Sequence, residues 1–407
     1  LLEDWLVEFL AAIGKFFMHP LLFLFVIVTF LHGYSRLKKE RKSFHTSVQD
    51  VFEEMRFTYS KGILAGLIAS VLFMLIGLSL PFGFVVLLAI VTGILGFMIN
   101  ARWLSPVYTI GFTAILAVVF QQLSSGSAAS FFIDLEKINF AAVALFLSVI
   151  MIAEGIIISR TAHLKTSPVL KRSSRGLSIG NHIANRTWML PLFFLVPGGS
   201  LSSQLSWWPM LTLNGDSFMI LCIPFFLGFS QRIQGSLPEE SIKATAQRVV
   251  SLGVVMLIIA AASIWYTPLA FAVIIAAFIG REVITMKQRI NDHSAAFFFS
   301  KRDKGLLILG ILPQSPAEKL QLKVGELITR INGIQVKTVA EFYEALQKNR
   351  AFCKLEVVDL KGEIRFEQRA LYDGEHHELG ILFVADEKKW ETETGSIEIE
   401  DNKGQAL

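Results

Sequence analysis

Two places in this sequence carry residue types that could do chemistry. Glu154 is a lone carboxylate inside a long apolar run, and His376-His377-Glu378 joins two imidazoles to an acid. An ionisable group at membrane depth is costly and so is a candidate for proton or ion handling. Its milder readings are snorkelling or pairing with Arg160 nearby. Two histidines hold zinc when they stand one helical turn apart with a glutamate between them. In His376-His377-Glu378-Leu379-Gly380-Ile381 the second ligand position is taken by Ile381. No Gly-x-Ser-x-Gly supports a serine nucleophile, and no Gly-x-x-x-x-Gly-Lys cradles a phosphate. His19 and His32 border an apolar run and read as interfacial. Cys222 and Cys353 lie in different parts of the chain and frame neither a disulfide nor a zinc site. The expectation is a protein that is not an enzyme, with no catalytic residue, no metal and no cofactor.

The elements that must position these groups are membrane helices. Of 407 residues, 53% are hydrophobic and only 18% charged, with mean hydropathy +0.54. A soluble domain carries about 25% charge. This composition excludes a disordered chain, a nucleic-acid-binding protein and an ordinary cytosolic enzyme. Residues 1–300 hold 22 Lys+Arg against 15 Asp+Glu, and residues 301–407 hold 16 against 19. The first part reads as a membrane domain (1–290) and the second as soluble. Runs near the roughly 20 residues a spanning helix needs are Phe16–Tyr34, Gly62–Leu80, Phe82–Ile99, Ser105–Leu123, Phe140–Ser159, Val249–Tyr266 and Pro268–Ile284. Two shorter runs, Thr187–Leu201 and Ser217–Ser230, are broken by Pro191, Pro197-Gly198-Gly199 and Pro224. They read as two more spans or as a re-entrant pair, for about 7–9 spans in all. Broken segments are also a transporter feature, though no internal repeat accompanies them.

Lys and Arg fall almost entirely in alternate loops, twenty against Lys15 and Lys137 on the other side. By the positive-inside rule this predicts the N-terminus outside and everything after about residue 285 in the cytoplasm. Residues 1–15 have Leu2, Trp5, Leu6, Phe9, Leu10 and Ile13 at helical spacing opposite Glu3, Asp4 and Glu8. They read as an interfacial amphipathic helix or as an extension of the first span. Loop 36–61 opens with Arg36, Lys38, Lys39, Arg41 and Lys42, a basic run that sets topology or docks on anionic lipid or a partner.

From about Phe297 the pattern becomes that of a small α+β unit. Gly305–Leu312 reads as a buried strand, Ser315-Pro316 as the cap of a short helix, Leu327–Ile331 as a strand and Asn332-Gly333 as a hairpin turn. Val339–Lys348 reads as a helix with Val339, Phe342, Tyr343 and Leu346 on one face. Strands 354–359 and 363–369 and a last apolar run, 379–384, complete it. The stretch "LLILGILPQSPAEKLQLKVGELITRINGIQV" resembles the core of a bacterial-type PDZ domain, over residues 291–385. The resemblance implies a groove that takes an extended peptide as an added strand and holds its carboxylate on backbone N–H groups. Its carboxylate loop is expected at Leu379-Gly380-Ile381-Leu382, near the end as in permuted domains, facing a helix wall of Phe342 and Leu346. A rival loop is Ala296-Phe297-Phe298-Phe299. Residues 386–407 read as a disordered acidic tail ending in Gln405-Ala406-Leu407.

The expected fold is thus a polytopic α-helical membrane domain followed by a small α+β cytoplasmic PDZ domain. Further motifs lie at the start: Phe16–Leu21, "RLKKERKSFHT" from Arg36, Phe57–Gly62, Pro81-Phe82-Gly83 and Ala101–Pro106. With them the layout resembles the membrane-spanning PDZ proteins of Bacillus-type Min cell-division systems. That resemblance implies an adaptor at septum and poles that joins a DivIVA-like coiled-coil protein to a MinD-like ATPase. Its partners would be cell-division proteins and membrane lipids, with no nucleic acid; a homo-oligomer is possible. The alternatives are an accessory subunit of a membrane protease or secretion system, and a transporter with an appended PDZ domain.

Overall fold

A computed structural model describes residues 2–48, 52–98, 100–123, 135, 138–173, 176–202, 208, 217–349, 351–371 and 379–384. The helical part contains α1 (Leu2–Met18), α2 (Pro20–Phe44), α3 (Glu53–Ile76), α4 (Phe82–Gly96), α5 (Pro106–Leu123), α6 (Phe140–Ile157), α7 (Pro238–Ala262) and α8 (Pro268–Ser294). A 3₁₀ turn at Ala101–Leu104 precedes α5, and a π-turn at Ile158–Ala162 extends α6. Among the described residues, six helices are long and apolar enough to cross a bilayer, namely α2, Tyr59–Ile76 of α3, α5, Phe140–Ala162, α7 and α8. α4 is apolar but has 15 residues, about 22 Å at 1.5 Å per residue. The expected N-terminal run divides at His19, whose Nδ1 accepts from Leu21 N, with Pro20 opening α2. α1 is thus a separate helix. Its Phe9 stacks on Phe193 at 5.0 Å, and Trp5 lies 5.8 Å from Trp208.

The two short runs expected to be helical are strands. β2 (Ser178–Ser202) and β3 (Ser217–Ile233) form a long antiparallel hairpin, extended at one edge by β1 (Ser167–Arg172). Proline in a helix interior costs a hydrogen bond and a clash, and both runs are rich in aromatics that favour strands. Pro191 lies opposite Pro224. The Pro191 carbonyl points outward and accepts from Ser70 Oγ at 3.1 Å. The pair therefore occupies a non-hydrogen-bonded position of the ladder, where a missing N–H costs no rung.

A strand edge at membrane depth must find internal partners. α3 supplies them. Ser70 Oγ also accepts from Phe193 N at 3.0 Å, while Leu80 N donates to Leu195 O and Leu195 N to Leu78 O. Gly62, Gly66 and Ser70, spaced by four, let α3 lie directly on β2. A Cβ at Gly66 would stand 2.6 Å from the Pro191 ring and 2.8 Å from its backbone. Such small-residue stripes permit close backbone approach.

The C-terminal unit has β4 (Leu306–Ile311), α9 (Pro316–Lys319), β5 (Leu327–Ile331), β6 (Ile334–Gln335), α10 (Val339–Lys348), β7 (Phe352–Val358), β8 (Ile364–Ala370) and β9 (Ile381–Phe383). Its sheet runs β8-β7-β5-β4-β9, with β6 beside β5. β4 is buried on both faces. Leu306 and Ile308 join the core of this unit with Phe342 and Leu355, while Leu307 and Leu309 pack with Phe299 and Leu170 toward the helical domain. Gly180 N of β2 donates to Phe299 O at 2.8 Å, which ties the hairpin to the segment entering β4. Phe299 is fully buried there. The rival carboxylate loop, Ala296–Phe299, is therefore part of this junction, its backbone already engaged with β2.

Candidate functional site: the edge strand and its helix

β9 closes one side of the C-terminal sheet. Among the described residues it pairs with β4 alone, so its other edge faces no strand. The chain reaches it through Leu379 and Gly380. Leu379 O accepts from Ala317 N at 3.0 Å, and Gly380 O accepts from Leu312 N at 2.8 Å. These bonds hold the loop against the start of α9, where Ser315 caps the helix and Pro316 opens it. Gly380 has φ +79°, and a Cβ on it would meet Ser315 Cβ at 2.3 Å. No other residue type fits this position without moving α9.

α10 packs beside β9 because its sequence is amphipathic and well capped. Thr338 Oγ1 accepts from Glu341 N, and Glu341 Oε2 accepts from Lys337 N, a reciprocal capping pair. The Lys337 N–H bond holds the Glu341 carboxyl below its ordinary range. Phe342 meets Phe383 of β9 edge-on at 5.2 Å. The structure thus gathers the expected residues at one place, with a difference in role. Phe342 and Leu346 are fully buried, as is Leu379, and Ile381 and Leu382 are nearly so. Phe342, Leu346, Leu379 and Ile381 join the core beneath the edge rather than forming an open wall, while Leu382 turns to the other face, against Gly310. On α10, Val339 and Tyr343, four residues apart, stay half-buried against the same core. Burial pushes the nearby Cys353 thiol up to about 12, which leaves it inert.

The basic run is the C-terminal part of α2, not a loop. Lys38, Lys39, Arg41 and Lys42 are exposed. Arg36 is half-buried and stands 3.7 Å from Glu40. Sequence reasoning passed over Glu40, which is fully buried. Its Oε1 accepts from Ser167 Oγ at 2.7 Å and its Oε2 from Val48 N at 2.9 Å. The available signal was an acid four residues after Arg36 inside an otherwise basic stretch.

Glu154 is fully buried, and its Oε1 accepts from Arg281 Nη2 at 3.1 Å. Arg281, one of the twenty cations counted to the loops although it falls within the run Pro268–Ile284, is buried within α8. The partner is therefore not Arg160, which is exposed. Beside it, Glu282 accepts from Tyr108 Oη at 2.6 Å and pairs with Arg102. These bonds pin α8 to α5 and α6. His376, His377 and Glu378, like the acidic tail, lie outside the described residues. No group of three potential metal ligands occurs among the described residues.

Residues 307–358 match the PDZ domain family model. The chain is 50% identical over 386 residues to the cell division topological determinant MinJ of Bacillus subtilis (strain 168), covering 95% of this chain and 97% of that protein. It is also 32% identical over 85 residues to the probable cell division topological determinant MinJ of Lacticaseibacillus paracasei, 21% of this chain and 23% of that one.

Proposed function

Since this chain belongs to the MinJ family of cell division topological determinants, we propose that it is a membrane-embedded adaptor for division-site placement. The observation that carries this reading is likeness along 95% of the chain, with a PDZ sheet edge at its end. A partner peptide adds a strand to β9, and backbone N–H groups of Leu379–Leu382 take its terminal carboxylate. Specificity comes from side chains flanking that edge, among them Val339 and Tyr343 of α10, half-buried against the same core. The adaptor joins a DivIVA-like coiled-coil protein at septum and poles to a MinD-like ATPase. The exposed lysines and arginine on α2 face the anionic leaflet or a partner. Lys and Arg distribution supports an outer N-terminus and a cytoplasmic C-terminal unit.

Replacing Val339→Lys and Tyr343→Ala together tests the groove in full-length protein. A strain carrying this variant at normal levels is expected to form minicells or filaments and to lose at least one division partner in pull-downs. Normal division with every partner retained would remove the groove from the mechanism. For sidedness, labelling of a cysteine introduced at Asn402 by an impermeant reagent in whole cells would reverse the assigned orientation.

A further inference from the structure

A cavity of about 600 Å³ lies where α1, α3 and β2 meet, with Trp208 beside it. Among the described residues no charged side chain lines it. Leu67, Val71 and Leu75 of α3, spaced by four, are exposed, whereas Ser70 and Phe193 are buried. The cavity therefore runs inward from the exposed face of α3 toward β2. α1 forms another side. Its Phe9 stacks on Phe193, and its Glu8 Oε1 accepts from Ser200 Oγ at 2.8 Å, which ties α1 to the end of β2.

The Ser70 hydroxyl is already used. Its Oγ lies 2.7 Å from Gly66 O and 3.1 Å from Pro191 O, and it accepts from Phe193 N at 3.0 Å. The Trp208 indole is used as well, donating from Nε1 to Met74 O at 3.0 Å. Water needs several polar partners and gains little in such a space. An empty void would strip its walls of contacts. Hydrocarbon suits it.

We propose that this cavity holds one acyl chain of a bilayer phospholipid. Its position selects that occupant. Residues 67–75 lie in the second half of the apolar span Tyr59–Ile76, and exposed Leu64, Ile68 and Leu72 continue the apolar surface beside the mouth. The medium at the mouth is therefore the acyl region of the bilayer. Trp208 bonds to the last turn of α3, and tryptophans gather where a span meets the headgroups. Leu67 to Leu75 covers about 12 Å of helix, so the cavity is roughly 8 Å across. A helix with its side chains is about 10–12 Å wide, which keeps out a spanning helix of another protein. This inference goes beyond the adaptor reading and does not depend on it.

Photolabelling of the full-length protein in phosphatidylcholine vesicles tests it, with a phosphatidylcholine probe that carries a diazirine midway along one acyl chain. Lipid outside the protein can reach Leu75 and Ile68. Only a chain inside the cavity reaches Phe193, so label mapped to Phe193 by mass spectrometry is the expected result. Val71 is exposed, so Val71→Trp should leave thermal unfolding unchanged while lowering label at Phe193 roughly tenfold or more, because the indole takes the chain's space. Leu75→Trp narrows the same mouth one turn on and should do likewise, so the result does not hang on one variant. Ile68→Trp adds the same ring outside the cavity and should change that label by less than about twofold. Label at Leu75 but none at Phe193 in the wild type would overturn the proposal, as would equal losses in Val71→Trp and Ile68→Trp. Unchanged label in Val71→Trp, with a smaller oligomer on gel filtration, would give the cavity to a second copy of the chain instead.

Discussion

Removing one partner of the Glu154–Arg281 pair is the most direct test of what the intramembrane carboxylate does. The two groups are 0% and 2% exposed and 3.1 Å apart. At an effective dielectric constant of about 20, that separation corresponds to roughly 5 kcal/mol of attraction. Glu154→Gln leaves Arg281 charged and without the carboxylate it is bonded to, with Ser105 Oγ, 3.4 Å from its Nε, and the more distant Glu282 carboxylate left to share the burden. Breaking a buried pair from one side costs about 3–5 kcal/mol. For a domain of this size that is a fall of roughly 5–10 °C in Tm. The double substitution Glu154→Leu/Arg281→Met removes both charges and fills similar volume, so it should recover most of the loss. Thermal unfolding in detergent, followed by gel filtration of the remaining monodisperse protein, reads all three variants. If Glu154→Gln unfolds with wild-type Tm and yet abolishes division placement, the pair is no structural clamp and the carboxylate has a direct role. Equal destabilisation of the single and double variants would also refute the ion-pair argument.

Three further outcomes follow from the packing. Gly66→Ala places a methyl against the Pro191 backbone and should sharply reduce folded protein in detergent, whereas Gly111→Ala, with nothing within 4 Å of its Cβ, should not. Leu309→Ala empties a fully buried position in the junction and should cost about 2–5 kcal/mol. Hydrogen exchange should then accelerate at residues 296–300 well before it does in β7. His182 sits in that junction 4.7 Å from Phe299, and burial lowers its pKa to about 4 from 6.5. The unfolded chain binds the proton first, so junction stability is intact above about pH 6.5 and declines by a few kcal/mol as pH falls toward 4. His182→Phe should flatten that part of the pH–stability curve.

The C-terminal unit was legible because its signals are local. Ser315-Pro316 caps a helix wherever it occurs, Asn332-Gly333 turns a hairpin at φ +50° and +83°, and Val339–Lys348 has one apolar face. Each needs only neighbours in sequence. The hairpin of β2 and β3 was not legible, because a continuous apolar run has no period to separate strand from helix. Pro191, Pro197 and Pro224 argued against a helix, but a strand at membrane depth requires a covered edge. That cover comes from Ser70 and Leu78–Leu80, more than a hundred residues away. Charge counting misplaced Arg281 for a related reason. An arginine near the end of an apolar run reads as a loop residue until Glu154 is brought to it by the packing of α6 and α8.

The candidate site shows how burial on two sides changes the meaning of a motif. Leu306-Leu307-Ile308-Leu309 reads as a strand within a soluble core, yet alternate residues serve different cores. Leu306 and Ile308 hold the C-terminal unit together, and Leu307 and Leu309 attach it to β1, β2 and α2. β9 inherits the same division, with Ile381 and Phe383 facing Phe342 and Val384 joining the junction cluster. Leu382 and Pro168 of β1 both crowd Gly310. A strand whose two faces belong to two cores cannot shift register or tilt without disturbing both. Its orientation is therefore set by the membrane domain as well as by its own sheet. The edge of β9 that meets no strand among the described residues is accordingly held in a fixed relation to the basic end of α2, which is what the proposed adaptor requires to meet a membrane surface and an extended peptide together.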